Sequence, residues 1–360
     1  MVRMFWDKLK KPFFVLAPMH EVTDAAFRQV VAHYSKPDVI FTEFVSVDGL
    51  CHPKSQKKIV DYYLKYDDSQ RPIVAQIWGS NPENFYKASQ YVVSLGFDGI
   101  DINMGCPDKS VVKQGGGAAL IQTPELAAEI IGAAKEGAGD LPISVKTRIG
   151  FDKIIIEPWI EKLIKAKPSA ITIHGRTKKE LSKVPTHWDK IGLAASIAKG
   201  SGIKIIGNGD ISSLKEGSEI AKKYGLDGIM VGRAVMGNPW FFNPDIDYEN
   251  VSLEQKIEAL LFHAQLFEKI FSGINPVRNN YSSDGANAQP VFGKSADYSH
   301  ETFKISNGVK RFNHFKKHIK AYISGFKRAS ELRVKLMQAK DSKELELILK
   351  SNAVIRRSNL

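Results

Sequence analysis

Eight short apolar, β-branched runs recur along the first two thirds of the chain, with helix-like segments between them. The runs lie at residues 13–17, 38–44, 72–77, 98–103, 142–147, 169–174, 203–207 and 227–231. Strands that alternate with helices in this number are typical of a closed parallel barrel. A doubly wound open sheet also alternates, but it usually carries G-x-G-x-x-G after its first strand, whereas here that strand runs into Ala17-Pro18-Met19. The pattern therefore predicts a (β/α)8 TIM barrel.

Helical periodicity replaces the strand pattern after about residue 242. Residues 251–271 place apolar side chains at the spacing of an amphipathic helix, and a helical pattern returns at residues 309–338 and 341–350. The last segment opens with Asp341, a residue type that is typical of a helix N-cap. We therefore expect an all-α region after the barrel.

These two patterns predict two domains. Residues 1–245 are expected to form the barrel, and residues 246–360 a C-terminal all-α helical domain. Residues 272–309 interrupt the second domain with a stretch that is rich in Ser, Asn and Gly and shows no periodicity. We interpret this stretch as an inserted mobile loop.

Positive charge is concentrated in one part of the predicted helical domain. The chain of 360 residues has a formal net charge of +12, and residues 310–340 contain ten Lys and Arg residues against one acid, Glu331. A segment this one-sided favours binding to a polyanion such as a nucleic-acid phosphate backbone. An ordinary solvated helix face is the alternative, because basic helices are common on protein surfaces.

Composition and cysteine use indicate a cytoplasmic protein. The N-terminus lacks the apolar segment of a signal peptide, and no apolar run approaches the ~20 residues that span a bilayer. The two cysteines, Cys51 and Cys106, are too few for a disulfide framework and too far apart in sequence to suggest a metal knuckle. Nothing implies a membrane or a stable protein partner, so we expect a monomer.

The residues that follow the predicted strands carry the candidate chemistry, because the reactive groups of a (β/α)8 barrel lie at the carboxyl ends of its strands. Six of the eight runs are followed by Glu43, Gln76, Asn103 with Cys106, Lys146 with Arg148, His174 with Arg176, and Asn208-Gly209-Asp210, and the eighth ends at Gly232-Arg233. The opposite ends of the runs carry turn residues without a comparable cluster. No His/Asp/Glu ligand cluster stands out, which argues against a metal-dependent hydrolase.

Two pairs of these residues are spaced to point the same way. Lys146 and Arg148, and likewise His174 and Arg176, are two residues apart on a strand, so each pair can point into the barrel mouth. This positive charge requires an anionic ligand, and the glycine-containing loops after strands seven and eight lie where barrel enzymes commonly hold phosphate. The set predicts a phosphorylated cofactor or substrate, although either glycine motif alone is equally consistent with a simple turn.

Cys106 lies in the loop segment Asn103-Met104-Gly105-Cys106-Pro107, in which Gly and Pro should expose the thiol. An unperturbed thiol has a pKa of ~8.5 and stays mostly protonated near neutrality. That property suits a proton donor better than a nucleophile, which would need a neighbouring base. A lone cysteine is more often structural, and we place Cys51 in that class.

A long series of motifs, in order, resembles the tRNA-dihydrouridine synthases. The match runs from about residue 13 to 242 and again at 311–340. It comprises Leu16-Ala17-Pro18-Met19, Thr23-Asp24, Phe27-Arg28, Thr42-Glu43, Gln76, Asp101-Ile102-Asn103-Met104-Gly105-Cys106-Pro107, Val145-Lys146-Thr147-Arg148, His174-Gly175-Arg176-Thr177, Asn208-Gly209-Asp210-Ile211, Asp227-Gly228-Ile229-Met230-Val231-Gly232-Arg233 and Gly237-Asn238-Pro239-Trp240. An ordered series of this length is specific, whereas a single piece such as Asn-Gly-Asp is not.

The resemblance implies an FMN-binding barrel that takes electrons from NADPH or NADH and reduces the carbon 5–carbon 6 double bond of particular uridines in tRNA. By position, Pro18 and Met19 would line the flavin ring; Gln76, Lys146 and His174 would contact the ring or the ribityl chain; Asn208, Gly209, Asp210, Gly232 and Arg233 would hold the phosphate; Asn103, Arg148 and Arg176 would face the uracil; and Cys106 would be the general acid. No dinucleotide fingerprint is present, so the nicotinamide donor depends on the resemblance alone.

Two other classes of protein remain open. An FMN barrel that acts on a small molecule, such as a dihydroorotate-type or dihydropyrimidine-type dehydrogenase, would not need the basic segment. A catalytically idle RNA-binding or chaperone protein on the same scaffold would not need Cys106, Lys146 and His174. Residues 178–188 also depart from the Gln, aromatic, Gly and Ala-Asp-Trp sequence of many family members, and this loop should face the substrate. The sequence therefore leaves the target uridine open.

Overall fold

The structure, a computed structural model, describes residues 5–271 and 312–351. Its strands are β1 Phe13–Leu16, β2 Val39–Phe41, β3 Val45–Ser46, β4 Ile73–Trp78, β5 Gly99–Met104, β6 Ile143–Arg148, β7 Ala170–His174, β8 Lys204–Asn208 and β9 Gly228–Val231. All of the pairings among them are parallel, and they follow the order β1-β2-β4-β5-β6-β7-β8-β9. Pairing of β9 with β1 closes the barrel. The predicted (β/α)8 barrel is confirmed.

The second predicted strand, at residues 38–44, is divided between β2 and β3. Strand β4 pairs with β2 at Ile73 and, farther along, with β3 at Ile77. Between the two short strands the chain turns, and the Thr42 hydroxyl accepts a hydrogen bond of 3.1 Å from the backbone N–H of Gln76. One continuous apolar run therefore contains a break that periodicity alone does not reveal.

The helices around the barrel are α1 Ala25–Tyr34, α2 Val47–Cys51, α3 Pro53–Ile59, α4 Pro82–Ser94, α5 Lys109–Lys113, α6 Pro124–Ala138, α7 Ile156–Ala166, α8 Trp188–Ile197 and α9 Leu214–Tyr224. Local signals explain several of their starts. Asp24 caps α1 by accepting from the Phe27 N–H at 3.0 Å, and Ser213 caps α9. Proline occupies the first turn of α4 and α6, where no N–H is needed.

The C-terminal helices are α10 Leu253–Phe271, α11 Lys316–Tyr322, α12 Ala329–Leu336 and α13 Ser342–Ser351. Helix α10 confirms the prediction at 251–271, and Asp341 caps α13 by accepting from the Glu344 N–H at 2.8 Å. The helical pattern at 309–338 is split between α11 and α12, because Gly325 adopts a φ of +80°, which a right-handed helix does not accommodate. The insertion predicted at 272–309 lies wholly outside the described residues, which end at residue 271 and resume at residue 312.

The C-terminal helices pack against the barrel through helix α1. Ala26 and Val30 of α1 belong to the same buried apolar cluster as Leu260, Phe267 and Ile319. At the edge of this cluster the Lys317 ammonium group lies 3.1 Å from the Glu21 carboxylate, in the loop that follows β1. The basic helix α11 is therefore held beside the mouth of the barrel.

Gly237 lies close to the backbone of α11, and we expect its replacement by Ala to destabilise the protein. Gly237 has a φ of +76°, and a Cβ there would lie 2.5 Å from the backbone carbonyl carbon of Ala321. Backbone cannot yield as a flexible side chain can, so the free energy of unfolding should fall by about 2–4 kcal/mol, measured by urea denaturation. Gly200→Ala is the matched control, because φ there is +84° with nothing within 4 Å. Equal losses for the two variants would contradict a steric contact with α11.

Candidate active site

A cavity of about 400 Å³ opens at the carboxyl ends of the strands. Residues from the ends of β1, β6, β7, β8 and β9 line it, and nine of them were predicted from the sequence: Pro18, Met19, Lys146, His174, Asn208, Gly209, Asp210, Gly232 and Arg233. The structure thus brings together every predicted cofactor-binding residue except Gln76. The remaining five predicted residues are not among those that line this cavity: Gln76, Asn103, Cys106, Arg148 and Arg176.

Lys146 supplies a partly buried cation to the cavity. Burial, followed by the repulsion of Arg148, lowers the pKa of its amine to about 8, and the carboxylate of Asp101 opposes this shift. The amine donates a hydrogen bond of 3.2 Å to the side-chain oxygen of Asn208. The Asn208 amide nitrogen donates in turn to the Met230 carbonyl at 2.9 Å, which fixes the amide orientation. An ammonium group of this kind is available to an anionic ligand below about pH 8.

His174 is a neutral group in this site. Burial lowers its pKa to about 2, and the positive charges of Arg148, Lys146 and Arg176 add to the effect. Its Nε2 atom lies 3.4 Å from Nη1 of Arg176. His174 can therefore hydrogen-bond a ligand but cannot contribute a positive charge to it at neutral pH.

Asp210 occupies the space between two arginines at one side of the cavity. Its carboxylate pairs with the guanidinium groups of Arg176 and Arg233, and the hydrogen bond from Arg176 is the main reason why the pKa of Asp210 is lowered. The side chain of Arg176 is 1% exposed, whereas that of Arg233 is 64% exposed. Arg176, predicted from the resemblance to face the uracil, is thus grouped in this structure with the residues predicted to hold phosphate.

Asn103 and Arg148 fix the loop that carries Cys106. The side-chain oxygen of Asn103 accepts hydrogen bonds from the backbone N–H groups of Gly105, at 3.1 Å, and Cys106, at 2.9 Å. The Arg148 Nε donates to the Gly105 carbonyl at 2.7 Å. The loop is therefore held from both sides, and its cysteine lies beside two of the residues predicted to contact the substrate.

The Cys106 thiol is half-buried, and burial raises its pKa above the ordinary value. The charges of Arg148 and Lys146 oppose this shift only in part. The thiol is therefore protonated at neutral pH, as expected for a proton donor. Cys51 lies in a different environment, in α2 near α4, where its thiol is 3.5 Å from the Asn84 carbonyl and its pKa is raised to about 11.

The loop at residues 177–187 contacts Arg148 and Arg176 through its backbone. The carbonyl of Thr177 accepts from Nη1 of Arg148 at 3.2 Å, and the carbonyl of Val184 accepts from Nε of Arg176 at 2.6 Å. The Glu180 carboxylate accepts from the Thr177 N–H at 2.7 Å, which closes the start of the loop. Leu181 and Val184 belong to the segment at residues 178–188, whose sequence departs from that of many members of the family it resembles, and their carbonyl groups contact Arg148 and Arg176 directly.

Sequence reasoning assigned no role to Asp101, a buried residue inside the barrel, or to Ser144, which donates a hydrogen bond to it. Asp101 precedes Asn103 by two positions in β5, and Ser144 precedes Lys146 by two positions in β6. Residues spaced by two share one face of a strand, so alternation was the available signal. Their hydrogen bonds inside the barrel are described below.

The fold and the site together define a closed parallel barrel with a cavity at its strand ends that contains Lys146 and Arg233, and with the protonated thiol of Cys106 at the same ends of the strands. The chain matches the family model described as dihydrouridine synthase (Dus) over residues 15–304. It belongs to the dihydrouridine synthase family.

Curated relatives agree with this assignment over nearly the whole chain. A probable tRNA-dihydrouridine synthase of Staphylococcus aureus (strain COL) is 38% identical over 350 residues, which cover 96% of this chain and 94% of the relative. A probable tRNA-dihydrouridine synthase 2 of Bacillus subtilis (strain 168) is 38% identical over 354 residues, which cover 97% of this chain and 96% of the relative.

Solved structures with a similar fold are more distant. A histamine dehydrogenase from Rhizobium sp. 4-9 is 13% identical with a TM-score of 0.49, and the match covers 73% of this chain and 51% of that one. An old yellow enzyme homologue from Zymomonas mobilis is 13% identical with a TM-score of 0.44, over 63% of this chain and 86% of that one.

Within residues 5–271 and 312–351, no helix combines the length and the apolar character needed to cross a membrane. The same residues contain no group of three His, Cys, Asp or Glu side chains placed to hold a metal ion.

Proposed function

We propose that this protein is a cytoplasmic tRNA-dihydrouridine synthase that uses FMN, with NADPH or NADH as the electron donor. The observation that carries the proposal is the position of a neutral thiol, on Cys106, at the same barrel mouth as the anion-binding cavity that contains Lys146. Membership of the dihydrouridine synthase family supports the reaction class. The names of the relatives support tRNA as the substrate.

The cavity residues fit FMN. A volume of about 400 Å³ falls within the usual range for cofactor sites. Pro18 and Met19 provide an apolar wall for a flat ring, the ammonium group of Lys146 reaches the interior, and the exposed guanidinium of Arg233 suits a phosphate. When bound, FMN supplies the hydride that carbon 6 of uracil receives.

Cys106 completes the reduction by supplying the proton for carbon 5. Breaking the carbon 5–carbon 6 double bond leaves an electron pair on carbon 5, which takes the proton from the thiol and forms a C–H bond. The thiolate that remains lies within the electrostatic influence of Arg148 and Lys146, whose charges stabilise it until water returns a proton. Because burial keeps the thiol protonated between turnovers, the donor is available at neutral pH.

Asn103 and Arg148 orient the uracil and stabilise the charge that develops on its carbonyl oxygens. The Asn103 amide donates one hydrogen to Gln76, so its second hydrogen is available to a ligand. Nε and Nη1 of Arg148 contact loop carbonyls, and its Nη2 makes no hydrogen bond among the described residues. Each residue therefore retains a donor for the substrate while it holds the Cys106 loop.

Asp210 contributes to phosphate binding indirectly, by orienting arginines. A carboxylate repels phosphate, so Asp210 is unsuited to contact it with its own side chain. Its pairing with Arg176 and Arg233 instead holds both guanidinium groups at the side of the cavity where phosphate is expected. In this arrangement Arg176 supports the cofactor end of the site, and Arg148 with Asn103 takes the uracil.

The basic C-terminal helices provide the tRNA-binding surface. Lys320 and Lys327 are exposed, and α11 lies beside the mouth through the pair between Lys317 and Glu21. A uridine stacked inside tRNA cannot reach a barrel interior, so its nucleotide must be flipped out. Phosphate contacts along α11 and α12 would hold the RNA while this occurs.

Nucleoside mass spectrometry of unmodified tRNA, incubated with the purified protein and NADPH, tests the proposal. We expect one or more uridines to gain two hydrogens, and fragment mapping would locate them. A yellow protein that oxidises NADPH but leaves every uridine unchanged would instead indicate a flavin reductase for a small molecule.

The binding of FMN is expected to weaken as the pH rises through about 8. The amine of Lys146 carries its charge below a pKa of about 8 and loses it above, so the attraction for an anionic cofactor is present at pH 6.5 and lost by pH 9.5. The dissociation constant, measured by quenching of flavin fluorescence, should rise about tenfold across this range. The variant Lys146→Met should bind more weakly and show a flatter profile. An equally steep profile in that variant would assign the titration to another group.

A further inference from the structure

Asp101 is a fully buried carboxylate that the proposed mechanism does not use. It lies in β5, two positions before Asn103, and is 0% exposed. One oxygen accepts from the Gln76 side-chain nitrogen at 2.7 Å, and the other accepts from the Ser144 hydroxyl at 2.6 Å. Burying a charged group is costly unless it is hydrogen-bonded, so this pair of bonds accounts for how Asp101 is tolerated but not for why it is present.

The bonds of Asp101 continue in one direction as far as the Cys106 loop. Gln76 donates to Asp101 and, through its oxygen, accepts from the Asn103 amide nitrogen at 3.0 Å. Asn103 then uses its own oxygen to accept from the backbone N–H groups of Gly105 and Cys106. Together with the bond from Ser144 of β6, these hydrogen bonds connect three strands and one loop.

The direction of this chain is fixed at both ends by groups that have only one role. A backbone N–H can only donate, so Asn103 must present its oxygen to the loop and its nitrogen to Gln76. Gln76 must then present its oxygen to Asn103 and its nitrogen to Asp101, and an ionised carboxylate can only accept. An apolar residue at position 101 would leave the buried Gln76 amide nitrogen without an acceptor, which favours a rotation of Gln76 that withdraws its oxygen from Asn103.

We propose that Asp101 is a positioning residue for uridine reduction, which orients the amides of Gln76 and Asn103 and so holds the Cys106 loop in its reactive position. This inference rests on the proposed function for its catalytic consequence. Burial raises the pKa of Asp101 to about 6, whereas its two hydrogen bonds and the nearby charge of Lys146 on β6 favour the ionised form. The carboxylate is therefore ionised at neutral pH, which is the state that the chain of hydrogen bonds requires.

Three variants separate the acceptor role of Asp101 from its charge and from its packing. Asp101→Leu has a similar shape but no acceptor, so it leaves the Gln76 amide nitrogen without a partner. Asp101→Asn keeps an oxygen for Gln76, while its amide group can face Ser144, whose hydroxyl is able to donate to the Ile100 carbonyl instead. Ser144→Ala is the matched control, because it removes the other hydrogen bond of the same carboxylate without touching Gln76.

The first measurement is steady-state reduction of uridine in tRNA by the flavin-loaded protein. We expect Asp101→Leu to lower kcat by about tenfold or more, with the KM for tRNA changed less than about twofold, because the lost interaction acts on the donor loop and not on RNA binding. Asp101→Asn and Ser144→Ala should stay within about threefold of the unaltered protein. An Asp101→Asn variant as slow as Asp101→Leu would overturn the proposal, since the acceptor and its orientation would then not be what matters.

The second measurement follows the loop without relying on uridine reduction. In a Cys51→Ser background, Cys106 is the only cysteine, and its alkylation by iodoacetamide in the flavin-loaded protein reports the freedom of the loop. We expect Asp101→Leu to be alkylated several-fold faster than the parent, and Asp101→Asn and Ser144→Ala to match the parent. If Asp101→Leu does not fold, Asp101→Ala takes its place, because the smaller side chain fits and also removes both acceptors.

The two measurements distinguish the possible failures. Parent protein that leaves tRNA uridines unreduced, with the alkylation pattern as expected, would refute the proposed function but retain the positioning role of Asp101. Parent protein that reduces uridine, with unchanged kcat and unchanged alkylation in Asp101→Leu, would refute the positioning role alone.

Discussion

Replacing Cys106 by Ala is expected to slow uridine reduction by about a thousandfold, within the range that a positioned general acid contributes. The thiol is the protonated group at the substrate side of the mouth, and burial holds its pKa above the ordinary value. Ala leaves the backbone hydrogen bond to Asn103 intact, because that bond uses the N–H of residue 106. Dihydrouridine formation, followed by nucleoside mass spectrometry, should nearly stop while flavin content and tRNA affinity stay unchanged.

Cys51→Ala is the matched control for this variant. The Cys51 thiol lies among the outer helices with a pKa raised to about 11, and its loss should leave turnover within about twofold of the unaltered protein. Oxidation of NADPH by the bound flavin should persist in both variants, because it needs no proton from the thiol to uracil. Full turnover by Cys106→Ala would remove Cys106 from the role of proton donor.

Reversing charge on α11 should weaken tRNA binding by about two orders of magnitude at low salt. Lys317 is already paired with Glu21, so we choose Lys316→Glu with Lys320→Glu, which leaves that pair in place. If each lysine contacts one phosphate, the slope of log K against log salt should become shallower by roughly 0.7–0.9 for each one lost. Filter binding across a salt series measures both quantities, and flavin content should not change.

A second double variant with the same change of charge provides the control. Lys199 follows α8 and Lys222 lies in the last turn of α9, at the end of the barrel away from its mouth, and both are exposed. Lys199→Glu with Lys222→Glu should alter affinity only through the net charge of the protein. Equal losses in the two double variants would show that general electrostatic attraction, and not a surface on α11, binds the RNA. An unaffected α11 variant would place the RNA surface elsewhere.

Strand positions in this protein followed from the sequence to within about one residue, except where β2 and β3 divide one apolar run. The number of strands in the barrel also followed from the sequence, because eight β-branched runs between helices leave few other parallel arrangements. Periodicity also placed Lys146 and Arg148 on one inward face, since side chains two apart on a strand point the same way. These properties are local, because they depend on residues that are close together in the sequence.

Contacts across the barrel were decided by the tertiary structure. Whether Asp210 would meet a phosphate or two arginines depends on Arg176, which lies 34 positions away at the end of another strand. The chain of hydrogen bonds from Asp101 to the Cys106 loop depends on the register of β4 against β5. The neutral state of His174 likewise results from burial among four cations that come from different parts of the barrel. The sequence by itself thus determined the barrel and the residues available at its mouth. Strand register and burial decided which of those residues meet and which carry charge, because both depend on the packing of segments that are distant along the chain.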